Sequence, residues 1–217
     1  MKKILLVSFL SFLFTQDYVV IGHQKWMKEN LNVLNDRACY GGLESNCDIY
    51  GGLYQFDNFM TGNNYSEYEE GFCPEGWHVP TLAEFQILIN YVNDNGHALK
   101  ALGQDDFATD EVGFSALFSG IITSENNSIL IEEQTSFMTS TSNGNNSYAI
   151  HLVSDSPSIG YDGTFDYSFD AAGSIRCISD ENINLTLRVP EEYSAIQEAI
   201  DYSMDGDTVL VSAGTYH

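Results

Sequence analysis

The sequence predicts an α+β domain with one main helix, several short strands and long loops that disulfides hold in place. Residues 81–93 combine a helix start signal with apolar residues at helical spacing. Short β-like segments separated by polar loops fill residues 113–180. All four cysteines lie outside the apolar N-terminal run, as in an exported, disulfide-bonded chain. Together these features favour a layered α+β domain.

The N-terminus has the pattern of a secretory signal peptide. Met1–Lys3 is positively charged, and the apolar run Ile4–Phe14 has the length of a signal h-region and is shorter than a membrane span. Residues 15–17 lack a small-residue cleavage pattern, so the exact cut is not fixed by the sequence. We expect residues 1–16 to be removed, with no membrane insertion afterwards; a buried N-terminal strand is the alternative interpretation.

The composition is strongly acidic. The chain has 31 acidic and 8 basic residues, a net charge of −23, and loss of a leader containing Lys2 and Lys3 leaves 6 basic residues and a net charge of −25. This argues against nucleic acid and anionic membranes as partners, because both require Lys and Arg. The acids are scattered and match no calcium-binding motif, so we expect solvated surface charge with no cofactor and no metal site. Calcium is the alternative, because the many Asp and Asn side chains could hold it.

The four cysteines predict disulfides. They allow three pairings, and "YGGLESN" between Cys39 and Cys47 is a short glycine-containing loop that closes easily, which would leave Cys73 to pair with Cys177. Zinc is the alternative for four cysteines, but their intervals are uneven and include no C-x-x-C spacing.

Before the main helix, short ordered segments alternate with polar loops. Residues Tyr18–Ile21 are typical of a strand, and "YGGLYQFDNFM" (50–60) predicts a short helical or irregular segment that buries its rings. The polar stretch "TGNNYSEYEEG" (61–71) predicts a surface loop.

The helix over residues 81–93 is predicted by a capping box and an apolar face. Thr81 and Glu84 form the T-x-x-E pattern of a capping box. The apolar residues fall at positions i, i+3, i+4 and i+7, which are Phe85, Leu88, Ile89 and Val92. "NDNG" ends the helix, with Gly96 as the candidate C-terminal cap.

Four segments beyond the helix predict strands. They are residues 113–123, 135–142, 148–154 and 173–179. In the last of them Ile175 and Cys177 alternate with Ser174 and Arg176, as in a single strand with two different faces.

The character of the chain changes near residue 181. A strand at Leu185–Val189 is followed by Pro190, which predicts a helix start, and by an Asp-Gly-Asp turn and a second strand at Thr208–Val211. The sequence stops directly after that strand, and we expect the full-length protein to continue.

Five motifs in one order resemble the Fibrobacter succinogenes major paralogous domain, a family of exported bacterial proteins. They are "VVIGHQKWMKENLNV", "CYGGLESNCDIYGGLYQF", "CPEGWHVPTLAEF", "GFSAL" and "SIRCI". The resemblance covers roughly residues 18–179 and implies a C-type lectin-like fold with a small antiparallel sheet, one main helix and long loops. It also implies the disulfides Cys39–Cys47 and Cys73–Cys177, and a location outside the cell or on the cell surface.

The final segment resembles the start of a right-handed parallel β-helix of the pectin-lyase-like group. "VPEEYSAIQEAIDYSMDGDTVLVSAGTY" is similar to the cap helix and first strand of such a solenoid. The predicted organisation is a signal peptide at 1–16, the lectin-like domain at 17–180 and the start of a β-helix at 181–217. A solenoid needs several rungs to bury its faces, so any active site would lie on later rungs.

No catalytic residues are predicted. His78, within "CPEGWHVPTLAEF", has no acid or nucleophile beside it in the sequence, so we expect a packing or hydrogen-bonding role. Sugar-binding C-type lectins hold calcium through triplets that are absent here, and Cys177 lacks the partner cysteine of formylglycine-generating enzymes. The resemblance further places "FMTST" (137–141) where the family has two tryptophans, which implies a weakened stacking platform if those tryptophans bind sugar. Trp26 and Trp77 are expected in the core.

We expect any ligand to bind on the long polar loops around 124–147 and 154–172, because lectin-like folds present ligands on such loops. The candidate ligand-binding residues are Asn126, Asn127, Asn143, Asn145, Tyr161, Asp162, Asp166 and Tyr167. The favoured function is a non-catalytic module for recognition or adhesion, with a glycan or an extracellular protein as partner. The alternatives are an accessory domain of a carbohydrate-active β-helix enzyme and a structural spacer.

Overall fold

The computed structural model describes residues 17–34, 36–60, 70–142, 147–160 and 171–216. The predicted signal peptide and most of the predicted loop at 61–71 lie outside these residues. Within them the chain is a mixed α+β structure with few helices and several mostly antiparallel sheets, which confirms the predicted fold class at that level.

The strands and helices of the described residues are, in chain order, β1 (Tyr18–Ile21), β2 (Gln24–Met27), α1 (Glu44–Tyr50), β3 (Leu53–Gln55), α2 (Phe56–Phe59), β4 (Trp77–His78), α3 (Leu82–Tyr91), β5 (Ser119–Ile122), β6 (Ser128–Ile131), β7 (Gln134–Ser142), β8 (Ser147–Val153), β9 (Ile159–Gly160), β10 (Ala172–Ser174), β11 (Ile178–Ser179), β12 (Thr186–Val189), α4 (Ile196–Tyr202) and β13 (Thr208–Val211).

A small antiparallel sheet joins the two ends of the region from residue 17 to residue 180. Its strand order is β1-β2-β11-β4. Ile178 in β11 pairs with Trp26 on one side and with His78 on the other. The predicted strand Tyr18–Ile21 is confirmed as β1. The sheet therefore places the first two strands of the region beside β11, its last strand.

The larger sheet contains the predicted β-rich region. Its order is β3-β10-β5-β7-β8-β9, with β6 paired to β5. The hairpin of β7 and β8 confirms the predicted strands at 135–142 and 148–154. The predicted strand at 113–123 is confirmed only in its last part, β5. Phe114 and Phe118 precede β5 in irregular backbone and bury their rings in the core, so their apolar character reflects burial rather than strand pairing.

The prediction of one strand over 173–179 is wrong, because the chain changes sheets within it. β10 belongs to the larger sheet and β11 to the smaller one. Residues 174–177 are all buried, with exposures of 0–1%. The alternation of polar and apolar residues therefore does not separate a solvent face from a core face, and it does not mark a strand.

Helix α3 begins as predicted. The Thr81 side chain accepts a hydrogen bond from Glu84 N, and Glu84 accepts one in return from Thr81 N, completing the capping box. Its predicted apolar face is buried, with Phe85 against Trp26. Gly96 is not the C-terminal cap: Asn93 and Asp94 take the left-handed backbone conformation that ends the helix, and Gly96 starts a separate 3₁₀ turn.

The aromatic segment 50–60 forms β3 and α2, where Tyr54 and Phe56 are fully buried. The interpretation that it buries its rings is confirmed for these two side chains. The Tyr54 hydroxyl donates to Val33 O at 3.1 Å and accepts from Val33 N at 2.9 Å. Its apolar ring is thus buried while its polar atom is satisfied.

The final segment forms a β-α-β unit in which β12 and β13 pair in parallel with Leu187 opposite Val209. The predicted helix start at Pro190 is wrong. Residues 190–192 form a turn in which Glu192 bonds back to Arg188 through both its backbone N–H and its carboxylate. Helix α4 begins only at Ile196 and buries Ala199 against β12.

Both predicted disulfides are confirmed. Cys39 bonds to Cys47, eight residues away, and Cys73 bonds to Cys177, 104 residues away. The long bridge attaches the segment before α3 to the segment that changes sheets. It therefore fixes the crossing between the two sheets to the middle of the chain.

A buried ion pair holds the loops that follow α3. The Lys100 ammonium bonds to Asp105 at 2.6 Å and to the carbonyls of Val153 and Ser156, and both charged side chains are fully buried. Burial alone would raise the pKa of Asp105, but hydrogen bonds from Lys100 and from Phe107 N lower it below its usual range. The pair thus joins residues 100–107 to the turn after β8.

Replacing Lys100 by Met is expected to destabilise the protein by about 3–5 kcal/mol, because the Asp105 carboxylate stays buried without its cation. Chemical denaturation monitored by circular dichroism measures this change. The matched control is Lys25→Met, which removes a partly exposed pair with Glu181 and should cost about 1 kcal/mol or less. Equal effects of the two substitutions would contradict the assigned role of the Lys100 pair.

Candidate functional site

Two of the eight predicted ligand-binding residues lie in the described part of the chain. Asn126 and Asn127 are exposed in the turn between β5 and β6, where Asn126 N donates to Thr123 O and Thr123 N donates to Asn127 O. The other six, Asn143, Asn145, Tyr161, Asp162, Asp166 and Tyr167, fall outside the described residues. The predicted site on these loops therefore stays a prediction.

The "FMTST" stretch does not form a surface platform. Phe137 and Met138 are 1% and 0% exposed and pack in two different core clusters. Trp26 is also in the core, as expected, whereas Trp77 is only partly buried and lies below the ammonium of Lys25. A ligand on the surface would not meet the side chains of Phe137 and Met138, so these two residues offer no stacking platform for a sugar.

His78 is held between two carboxylates. Its Nε2 lies 2.9 Å from Glu84 Oε1, and its Nδ1 contacts Asp180 Oδ1. The ring is 5% exposed, while the Asp180 side chain is more than half exposed. The expected structural role is consistent with this geometry, but the partners are side-chain acids that the sequence analysis missed. Glu84 was visible as the capping-box residue, whereas Asp180 lies 102 residues away and gave no signal.

The electrostatics of His78 favour its charged form. Burial lowers the pKa of His78, but the hydrogen bonds and charges of Glu84 and Asp180 outweigh burial and raise the pKa above 6.5. Burial likewise opposes the ionisation of Glu84. Hydrogen bonds from His78 and from the Thr81 backbone N–H outweigh burial, so the pKa of Glu84 is lowered. Because both ring nitrogens face carboxylates, the imidazole is poorly placed to take a proton from a substrate.

A cleft of about 380 Å³ lies beside His78 and reaches the final β-α-β unit. His23 lines it, and its Nε2 lies 2.6 Å from Asp207 Oδ2 in the turn before β13. Backbone N–H groups of Met204 and Leu185, together with His23, lower the pKa of Asp207 to about 2. The His23 ring also packs on Tyr202 in α4. The cleft thus lies beside two acid–histidine groups, of which the His23–Asp207 pair connects the two parts of the chain.

A second cleft, of about 340 Å³, lies between residues 28–32 and the end of α1. We call it the Arg176 cleft. Its lining residues are Lys28, Glu29, Asn30, Asn32, Cys47, Asp48, Ile49, Tyr50, Gly51, Ala101, Ser115, Leu117 and Arg176. Gly51 has φ 79°, and a Cβ there would lie 2.6 Å from the Cβ of Asn30. A glycine is therefore needed where the two walls of the cleft approach each other.

Arg176 forms the buried part of this cleft. It is 1% exposed and donates to Asn30 Oδ1 from Nε and Nη2, and to Met27 O and Phe114 O from Nη1. The guanidinium also lies 4.7 Å from the centre of the Phe114 ring. Burial lowers the pKa of Arg176 to about 9, against the favourable charges of Glu29 and Asp110, so the group stays charged at neutral pH. The sequence analysis treated Arg176 only as part of a strand pattern.

Among the residues that the structure describes, no group of three or more His, Cys, Asp or Glu side chains is arranged to hold a metal ion. None of the helices in this part of the chain combines the length and apolarity required to cross a membrane.

Comparison with known families identifies a match for most of the chain. The family model of the Fibrobacter succinogenes major domain (Fib_succ_major) matches residues 19–179. No curated protein and no solved structure matches the chain. The matched region begins in β1 and ends at the last residue of β11, so it coincides with the part of the chain that the small sheet closes.

Replacing Glu84 by Gln should remove stability in a defined pH range, because the amide keeps an acceptor for Thr81 N but does not pair with charged His78. A raised His pKa contributes stability below its ordinary value of 6.5 that is lost as the pH rises through the folded value. A lowered Glu pKa contributes stability above its ordinary value of 4.5 that is lost as the pH falls through the folded value. The loss of stability should be greatest between pH 4.5 and pH 6.5, where both contributions are present, at roughly 1–2 kcal/mol.

Denaturation at several pH values, with the titration of the His78 ring followed by NMR, measures this effect. The His78 pKa should fall in the Glu84→Gln variant. The control is Glu111→Gln, an exposed carboxylate in the loop before β5, which should leave both readouts unchanged. A stability difference for Glu84→Gln that does not vary with pH would contradict the proposed pairing.

Proposed function

The chain belongs to the Fibrobacter succinogenes major domain family, and we propose that it is a non-catalytic surface module that mediates recognition or adhesion outside the cell. Membership of this family suggests a surface or extracellular domain. The proposed partner is a glycan or an extracellular protein. The proposal includes removal of residues 1–16 and a lectin-like domain at 17–180, for which the paired ends of the 17–180 region and the two disulfides are supporting features.

The observation that carries this proposal is the placement of the Arg176 cleft beside both disulfides. Cys47, half of the short bridge, lines the cleft, and Cys177, half of the long bridge, directly follows Arg176. A polar cleft whose walls are covalently fixed loses little conformational entropy on binding, which favours recognition. The engagement of both ring nitrogens of His78 by carboxylates supports a non-catalytic role.

A second candidate function is that of an accessory domain in a carbohydrate-active β-helix enzyme. The parallel pairing of β12 with β13 around α4 favours this alternative, since successive strands of a right-handed β-helix are parallel. Leu210 and Val211 are 45% and 39% exposed, an apolar surface that a further rung could cover. A spacer without a ligand is the third alternative.

The gene sequence beyond codon 217 tests the accessory-domain alternative. We expect further strands at regular spacing, with clustered Asp, Arg or Lys on a few of them if the β-helix is an enzyme. Rungs without such clusters would contradict the enzyme, and a continuation without any repeated strand pattern would contradict the β-helix.

A glycan array probed with the exported full chain, with and without calcium, tests recognition. We expect at least one glycan to bind, with no effect of calcium removal, since no calcium motif is present. An array of extracellular matrix and surface proteins serves as the parallel probe. Absence of binding on both arrays would contradict the recognition function and favour the spacer.

A further inference from the structure

We propose that the Arg176 cleft is a binding pocket for a neutral, hydroxyl-rich ligand of one or two sugar units. This inference rests on the proposed recognition function and adds the location of the site and the chemical class of the ligand. It differs from the sequence-based expectation, which placed the ligand on the loops around 124–147 and 154–172.

The buried Arg176 guanidinium has one N–H group that no acceptor among the described residues satisfies. A guanidinium has five N–H groups. Four of those on Arg176 donate to Asn30, Met27 and Phe114, and the remaining one, on Nη2, has no acceptor within the described residues. Arg176 lines the cleft, so a ligand oxygen that reaches this N–H would satisfy a buried donor and gain a strong, charge-assisted hydrogen bond.

Positive and negative side chains are equal in number around the cleft. Lys28 and Arg176 contribute two positive charges, and Glu29 and Asp48 contribute two negative charges. This local balance contrasts with the net charge of −23 for the chain, which would repel an anionic ligand. The two cations and the two carboxylates offset one another, so the cleft itself attracts neither charged class. A neutral ligand is therefore the class that matches the cleft.

The polar side chains of the cleft fall into two groups, those that hold its walls and those that are free to contact a ligand. Asn30 donates to Tyr50 O and Ser174 Oγ, and Asn32 donates to Cys47 O, so both amides are already used to hold the walls. The exposed Lys28, Glu29 and Asp48 side chains are available at the rim. Hydroxyl groups donate to carboxylates and accept from ammonium and guanidinium groups, so a polyol matches this set of side chains.

The size and surface of the cleft agree with a small sugar. Its volume of about 340 Å³ lies near the lower limit of small-molecule pockets. Tyr50 is half-buried on one wall and supplies a ring that can cover the C–H face of a sugar. The pocket therefore provides both the polar and the apolar contacts that such a ligand requires.

The test measures the affinity of two double variants for the neutral glycan that binds most tightly on the array. Each variant removes one positive and one negative charge, so the net charge of the chain does not change. Lys28→Ala with Asp48→Asn removes one cation and one anion from the rim of the cleft. Arg188→Ala with Asp201→Asn removes the same charges from exposed positions in the final β-α-β unit. Calorimetry should show a dissociation constant at least about 10-fold weaker for the first variant, since two hydrogen bonds to charged groups are lost, and an unchanged constant for the second.

NMR of the Arg176 side-chain N–H groups in the unsubstituted chain supplies a second readout, which should shift on saturation with the glycan. Unchanged affinity in the Lys28/Asp48 variant together with an unshifted Arg176 signal would overturn the pocket. If binding were then lost on replacing Asn126 and Asn127 by Ala, recognition would stand with the site on the β5–β6 turn. Binding of anionic glycans alone would overturn the ligand class. Absence of all glycan binding would overturn this inference, whereas the protein array decides the recognition function separately.

Discussion

The buried guanidinium of Arg176 is the interaction on which the rest of the structure depends. Residues 174–177 cross from the larger sheet to the smaller one, and Arg176 is at the centre of this crossing. No carboxylate is within hydrogen-bonding distance among the described residues, so fixed carbonyl and amide oxygens must stabilise the charge. Met27, Asn30 and Phe114 supply them. Residues 27–30 and Phe114 are thereby required to meet at the Arg176 side chain, although they are far apart in sequence. The neighbouring Cys177 is fixed by its disulfide to Cys73.

The same requirement links the core to the proposed pocket. Asn30 accepts from Arg176 through its oxygen and donates through its nitrogen to Tyr50 O, at the end of α1. Helix α1 is in turn attached through Cys47 to the short disulfide. The walls of the Arg176 cleft are thus held by the hydrogen bonds that satisfy the buried charge. A pocket built in this way is pre-organised, because the groups that stabilise the fold also set the position of the groups that face the ligand.

Several features that depend on local interactions could be predicted from the sequence, whereas most features that depend on distant partners could not, the Cys73–Cys177 disulfide being an exception. The capping box of α3 and the β7–β8 hairpin follow from residues close in sequence, and both were predicted. The change of sheet within 173–179 follows from the burial of Arg176 by segments up to about 150 residues away. For the same reason Asp180 escaped detection as a partner of His78, since the two residues are close only in the folded chain. The site prediction placed the ligand on long loops because exposure and polarity are visible in sequence, whereas a buried donor is not.

The two clefts differ in a way that decides where recognition is more favourable. In the cleft beside His78, the histidines already face carboxylates: His78 faces Glu84 and Asp180, and His23 faces Asp207. A ligand there would have to compete with existing charge pairs, and each broken pair would reduce its affinity. In the Arg176 cleft, one N–H of the buried guanidinium has no acceptor among the described residues. A ligand oxygen that accepts from this N–H would add a hydrogen bond and leave the four existing hydrogen bonds of Arg176 in place. Binding is therefore more favourable there than in the cleft beside His78. The His23–Asp207 pair is accordingly better suited to joining the final β-α-β unit to the matched family region.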